Sequence, residues 1–233
     1  MSARPRCCGI ILAAGVGSRM GAATTKQKIK ILGRSILYYT LSAFENCPDI
    51  DDIVIVVRED EIEFAKCESA GMKKVYAITV GGDCRAESAR MGFLDIPPQT
   101  ELVAIHDAAR ALITPDNISA VVKVAAETGA ATAASRLTDT IKFVNNEGII
   151  EQTIGRGALR RAETPQVFST KLYARAVYAT ATTESITDDN MLLERICVKI
   201  STVDVGRENM KITTAEDLKY AEFLLRERGW GDA

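Results

Sequence analysis

The sequence predicts an α/β fold, a mainly parallel sheet in a three-layer Rossmann-like sandwich with a protruding β-arm. Short apolar runs at 8–13, 52–57, 74–80, 102–106, 130–135 and 198–203 alternate with helical stretches, the pattern of a parallel sheet covered on both faces. A glycine-rich segment follows the first run directly, where open α/β sheets bind ligands. From 140 to 168 the alternation breaks, and 140–144 and 149–154 read as two strands around Asn145-Asn146-Glu147-Gly148. No linker or solenoid-length repeat interrupts the 233 residues, so residues 1–233 are expected to form a single domain.

Each element has its own warrant. The first strand ends in Leu12-Ala13-Ala14-Gly15-Val16-Gly17-Ser18-Arg19-Met20-Gly21, followed by Lys26-Gln27, and the next good helical pattern starts only near Arg34. Leu37, Leu41 and Phe44 then share one helical stripe. The strand at 74–80 runs into Gly81-Gly82, a turn, with Ser88 as a surface hydroxyl or a ligand contact on the helix beyond. The strand at 102–106 places Asp107 at the carboxyl edge of the sheet, as a ligand contact, as a helix N-cap, or as both. The arm, about 138–163, cannot bury two faces alone, so it folds back on the domain or packs on a second subunit. Leu218, Ala221 and Leu225 line the last helix, for which Thr213 and Glu216 offer a capping box.

Charge and composition narrow the chemistry. A net charge of -2 gives no general attraction for nucleic acid or an anionic membrane, so a phosphate ligand needs a local cluster of cations. No apolar run approaches the roughly 20 residues of a membrane span, and the first six residues lack a signal-peptide core; the expected setting is cytoplasmic. The six cysteines have neither C-x-x-C spacing nor a zinc-like relation to the one histidine, His106, and read as buried free thiols. His106 reads as a packed side chain beside the site, which leaves little acid–base machinery.

The glycine loop is the most informative feature. Glycines at 15, 17 and 21 let backbone N–H groups approach phosphate oxygens, and Arg19 and Lys26 add charge where a triphosphate would lie. The Gly15-x-Gly17-x-x-x-Gly21 spacing departs from the dinucleotide fingerprint, and no P-loop string is present. The loop also stays irregular too long for either motif.

The loop, with its following Lys-Gln, resembles that of the nucleotidyltransferases that activate sugars and alditols. Gly81-Gly82-Asp83-Cys84-Arg85-Ala86-Glu87-Ser88, Ile105-His106-Asp107-Ala108-Ala109-Arg110, Asp139-Thr140, Glu163-Thr164-Pro165-Gln166, Thr187-Asp188 and Asn209-Met210-Lys211-Ile212-Thr213 follow in order. Together these segments are similar to the 2-C-methyl-D-erythritol 4-phosphate cytidylyltransferase family over nearly the whole chain.

The resemblance implies a fold of the nucleotide-diphospho-sugar transferase type and transfer of CMP from CTP to a small phosphorylated alditol, a step of the non-mevalonate isoprenoid precursor pathway. It places Ala13, Ala14, Gly15, Gly17, Gly82, Asp83 and Ser88 around the nucleotide. Arg19 and Lys26 would grip the triphosphate, Lys211 would act on the α-phosphate, and Arg156 would hold the acceptor's phosphate. Asp107, Arg110, Thr140, Thr164 and Thr187 would complete the acceptor pocket. Mg²⁺ or another divalent cation would bridge phosphates, with Asp107 as its protein contact, and the arm would pair two subunits in a homodimer. The rivals are a ribitol 5-phosphate cytidylyltransferase and a nucleotide-binding regulator without catalysis. Thr25 and Ala111 stand where the family usually has proline, which frees φ and predicts a looser Lys26 loop.

Overall fold

In the computed structural model the described residues are 4–15, 25–180 and 186–231. The chain opens with β1 (Cys7–Leu12), a 3-10 turn (Lys26–Lys28), the short strands β2 (Lys30–Ile31) and β3 (Arg34–Ser35), and α1 (Ile36–Glu45). It continues through β4 (Asp52–Val57), a second 3-10 turn (Glu59–Glu61), α2 (Ile62–Glu68), β5 (Val75–Val80), α3 (Arg85–Leu94) and β6 (Leu102–Asp107). Next come α4 (Pro115–Thr128), β7 (Ala130–Arg136), β8 (Ile141–Val144), β9 (Ile150–Ile154) and β10 (Arg160–Ser169). The C-terminal part holds α5 (Thr170–Ala179), α6 (Asn190–Arg195), β11 (Ser201–Asp204) and α7 (Ala215–Glu227).

Among the described residues the main sheet has seven strands in the order β11-β7-β10-β6-β1-β4-β5, parallel except for β10. Every residue of β1, β4 and β6 is buried, because helices cover both faces. The two-residue period of β1 sends Cys7 and Ile11 into one core with Leu37, Leu41 and Phe44 of α1 and Val121 of α4. It sends Cys8 and Ile10 into the other, with Ala89 of α3, Tyr173 of α5 and Leu193 of α6. A third cluster packs α7, through Ala221, Leu224 and Leu225, on Ile31, Ile36 and Ala111. No helix among the described residues is long and apolar enough to cross a membrane.

Two packing details position the site. A Cβ on Gly92 would lie 2.5 Å from Ile10 and 2.7 Å from Val56, so this glycine lets α3 lie close on β1 and β4 and brings its first turn to the sheet's carboxyl edge. The strand order also reverses at β1, which has β4 on one side and β6 on the other, and a crevice opens at such a reversal.

The structure corrects several sequence expectations. Beyond the β8–β9 hairpin, turned by Asn145 Oδ1 accepting from the N–H groups of Glu147 and Ile149 at 3.0 Å, the excursion does not last to 168. From Arg160 onward the chain forms β10, which enters the sheet between β6 and β7. The last sheet strand is Ser201–Asp204, later than the run at 198–203. The capping box of α7 is Thr214 with Asp217, one residue beyond Thr213 and Glu216. Asp107 caps no helix: the next one starts at Pro115 with Thr114 as its cap.

Candidate active site

A cleft of about 560 Å³ opens at the carboxyl ends of β1, β5 and β6. Its floor is Leu12, Ala14 and Gly15, and the 3-10 turn beside it supplies Lys26 and Gln27. Gln27 ties that turn to the loop, since its Nε2 donates to the carbonyls of Ala13 at 2.5 Å and Gly15 at 3.2 Å. Lys26 Nζ donates to Thr213 O at 3.3 Å and so spans the mouth toward the chain that follows Lys211.

One wall is Gly81, Gly82, Asp83 and Ser88. A Cβ on Gly81 would fall 2.6 Å from the Ala14 Cβ and 2.7 Å from Ser88 Oγ, so only glycine allows the two glycine-bearing segments to meet. Ser88 is buried rather than a surface hydroxyl, and its Oγ reaches Gly82 O at 3.4 Å.

The far end of the cleft is an ionic network. Arg85 Nε donates to Asp107 Oδ1 at 3.0 Å, and Lys211 Nζ donates to Oδ2 at 2.8 Å. Arg85 also donates through Nη1 to the buried Asp189 at 2.7 Å, and Tyr173 Oη donates to the same carboxylate at 2.8 Å. Burial alone would raise the Asp107 carboxyl, but Arg85 and then Lys211 outweigh it and hold the group well below the usual carboxylate range. Burial would likewise lower the Arg85 guanidinium, and Asp189 with Asp107 raises it instead. Asp107 is therefore an anion throughout the neutral range, with both oxygens bonded to cations. Arg85 lies inside the Gly81–Ser88 segment and Asp189 directly after Thr187-Asp188, and neither carries a role in the sequence-based expectation.

Behind Asp107 lies His106, fully buried. Its Nε2 faces the carbonyl of Arg110 at 3.3 Å, which can only accept, so the neutral ring carries its proton there. Nδ1 then accepts from the Thr164 hydroxyl at 3.1 Å, and that hydroxyl accepts from the Asp107 N–H at 3.0 Å. Desolvation lowers the His106 pKa from its ordinary 6.5 to about 3. A depressed histidine pKa stabilises the fold fully above the unfolded value, and that stability is lost as pH falls from 6.5 toward 3. His106→Gln should therefore flatten the decline of melting temperature across this window. A decline as steep as that of the parent protein would acquit His106.

The remaining expected site residues divide by position. Ala13 is buried directly beneath the loop. Arg110 does not line the cleft; it donates to Asn209 O at 3.0 Å and lies 3.9 Å from Glu163. Thr140 and Thr187 are exposed and line no part of the cleft. Arg156, whose guanidinium donates to Thr138 O, lies in a second cavity of about 600 Å³ with Arg136 and Arg207. Gly17 and Arg19 lie outside the described residues.

The cleft thus gathers backbone from two glycine segments and lysines at either end, and its histidine is sealed away. Such a site is equipped to align phosphates and neutralise their charge rather than to shuttle protons. The fold and the site define a nucleotidyltransferase. The sequence profile of the 2-C-methyl-D-erythritol 4-phosphate cytidylyltransferase family matches residues 7–227, and the chain belongs to that family. Its enzyme from Desulforamulus reducens is 39% identical over 94% of this chain and 95% of its own. That of Endomicrobium trichonymphae is 36% identical over 93% and 97%. The crystal structure of 4-diphosphocytidyl-2C-methyl-D-erythritol synthase from Anaerococcus prevotii superimposes with a TM-score of 0.85 at 27% identity, covering 95% of this chain and 99% of that one. The chain is a cytidylyltransferase of isoprenoid biosynthesis.

Proposed function

We propose that this chain transfers CMP from CTP to the phosphate of 2-C-methyl-D-erythritol 4-phosphate. An oxygen of the acceptor's phosphate attacks the α-phosphorus of CTP and forms the new P–O bond. The bond to the β-phosphate breaks, pyrophosphate leaves, and 4-diphosphocytidyl-2-C-methyl-D-erythritol remains. The observation that carries this reading is the convergence of Lys26, Lys211, Asp107 and the Gly81–Gly82–Ser88 wall on one cleft. A phosphate monoester is already anionic near neutral pH, so no base has to be found.

In this scheme Ala13, Ala14, Gly15, Gly82, Asp83 and Ser88 enclose the cytidine, Lys26 holds the departing pyrophosphate, and Lys211 stabilises the α-phosphate as charge builds on it. Arg19 and Gly17 belong to the same reading. No group of three or more metal-binding side chains occurs among the described residues, and Asp107 is the carboxylate at the reacting end of the cleft. That donor set fits a hard divalent cation such as Mg²⁺ carried largely by the nucleotide's phosphates and touching Asp107. When bound, the ion supplies charge neutralisation on those phosphates. The chain is taken as one domain acting as a homodimer, with the part of the 138–163 arm that precedes β10 reaching the partner. There Arg156 and Thr140 would meet the acceptor alongside Thr187, while Thr164, through the Asp107 N–H, and Arg110, through Asn209, would support that end of the cleft from behind.

Release of pyrophosphate with CTP and this acceptor tests the proposal, with ribitol 5-phosphate as the competing acceptor. Faster turnover of ribitol 5-phosphate would reassign the substrate. CTP should exceed UTP in kcat/KM by about 10²-fold or more, because uracil exchanges a donor for an acceptor and strands the buried partners of the base. Comparable use of both would remove the cytidine-specific pocket.

A further inference from the structure

Glu61 is 1% exposed, yet it lies outside the cleft and outside every role given above. A carboxylate this deeply buried demands partners, and two come from one short turn. The Thr25 hydroxyl donates to Glu61 Oε1, and Lys28 Nζ lies 3.2 Å from the same oxygen. Lys28 is held a second time, its ammonium 5.4 Å from the centre of the Phe64 ring on α2. These residues bracket the 3-10 turn that carries Lys26 and Gln27, whose own backbone adds the bonds from Lys28 N to Thr25 O and from Ile29 N to Lys26 O. Glu61 itself belongs to the turn after β4, beside Arg58 and Glu59, which line the cleft.

We infer that Glu61 is a positioning residue for nucleotide binding: through Thr25 and Lys28 it fixes the Lys26–Gln27 turn against the wall of the cleft. Thr25 has φ −65° and ψ 148°, a φ that a proline ring would impose covalently. Here the rest of the chain enforces it through a side-chain hydrogen bond. The looseness expected from threonine at this position is thus opposed, and the clamp sits on the residue with the freedom to lose. Gln27 transmits the same restraint to the carbonyls of Ala13 and Gly15.

The inference rests on the reading of Lys26 as a triphosphate ligand, and the experiment separates the two. CTP and acceptor KM, kcat and melting temperature are measured for Thr25→Val, Thr25→Ser, Glu61→Gln and Lys26→Ala in the full chain. Thr25→Val and Glu61→Gln should each raise the KM for CTP about tenfold, the effect of weakening one hydrogen bond to a charged group. The acceptor's KM should stay unchanged, and Thr25→Ser, which keeps the hydroxyl, should match the parent. A purely structural role would lower melting temperature without this selective rise. Unchanged CTP KM in folded Thr25→Val and Glu61→Gln, or a rise in Thr25→Ser equal to that in Thr25→Val, overturns the clamp. If Lys26→Ala is impaired while those two are not, only the clamp fails. If Lys26→Ala itself handles CTP normally, the reading of Lys26 and the clamp fall together.

Discussion

Lys211→Ala should lower kcat by about 10²-fold while shifting melting temperature by only a few degrees, the loss of about 3 kcal/mol of transition-state stabilisation. Lys211 Nζ is 2.8 Å from Asp107 Oδ2, on a side chain that is 45% exposed to the cleft. Only the lysine end of this pair is solvated, and the buried Asp107 keeps Arg85 when the lysine is gone, so removing Lys211 leaves no buried charge unpaired. Arg85→Ala makes the opposite case. It strips a cation from both Asp107 and the fully buried Asp189, and breaking such buried pairs costs about 3–5 kcal/mol of stability. The two cations on one carboxylate should therefore separate, one registering in turnover and the other in folding. Kinetics and thermal melts on the two variants check this. A folded Lys211→Ala enzyme with near-normal kcat would take the lysine out of the mechanism.

That division of labour was half legible in the sequence. The strands in the middle of the sheet were readable because burial on both faces forces continuous apolar runs, as at Asp52–Val57 and Leu102–Asp107. β10 was not, because its entry into the sheet is polar. Glu163, Thr164 and Gln166 are all buried, and they are satisfied by partners remote in the chain. Glu163 accepts from Ser135 at 2.6 Å and Asn209 at 2.9 Å, and Gln166 Oε1 accepts from the Asp189 N–H at 2.8 Å. Pro165, a residue that ordinarily argues against a central strand, sits where the register with β7 shifts between Ala162 and Gln166. Local patterning is blind to polar groups whose partners come from elsewhere.

The site followed the same rule. Ala14, Gly15, Lys26, Gly82, Asp83, Ser88, Asp107 and Lys211, taken from separate motifs, do line one cleft, since glycine spacing and strand ends are local signals. Arg85 and Asp189 are 104 residues apart in sequence and only the fold pairs them. Arg156 is the reverse case, a residue that the family resemblance assigned to the acceptor's phosphate and that its own chain places in another cavity.

The placement of Arg156 motivates the last prediction, that each active site is shared between subunits. On its own chain Arg156 lines the cavity with Arg136 and Arg207, whereas Lys26 lines the cleft at the carboxyl edge of the sheet. The hairpin leading to it leaves Phe143, Val144, Ile149 and Ile150 between 49% and 59% exposed, an apolar cost that a two-stranded hairpin cannot offset alone and that a partner subunit would remove. If the arm carries Arg156 into the partner's site, Lys26→Ala and Arg156→Ala are each inactive as homodimers and complement each other when mixed. In a mixed dimer one site holds both lesions and the other holds neither. Random exchange makes about half the dimers mixed, so about a quarter of all sites should be native, a consequence of two-fold symmetry. Turnover of the mixture should rise toward that fraction of the parent's as exchange, followed by mass spectrometry or fluorescence transfer, proceeds. If both residues serve one site within a subunit, every site in every dimer keeps a lesion. Exchange without recovery would therefore return Arg156 to its own chain and leave the exposed hairpin to another partner.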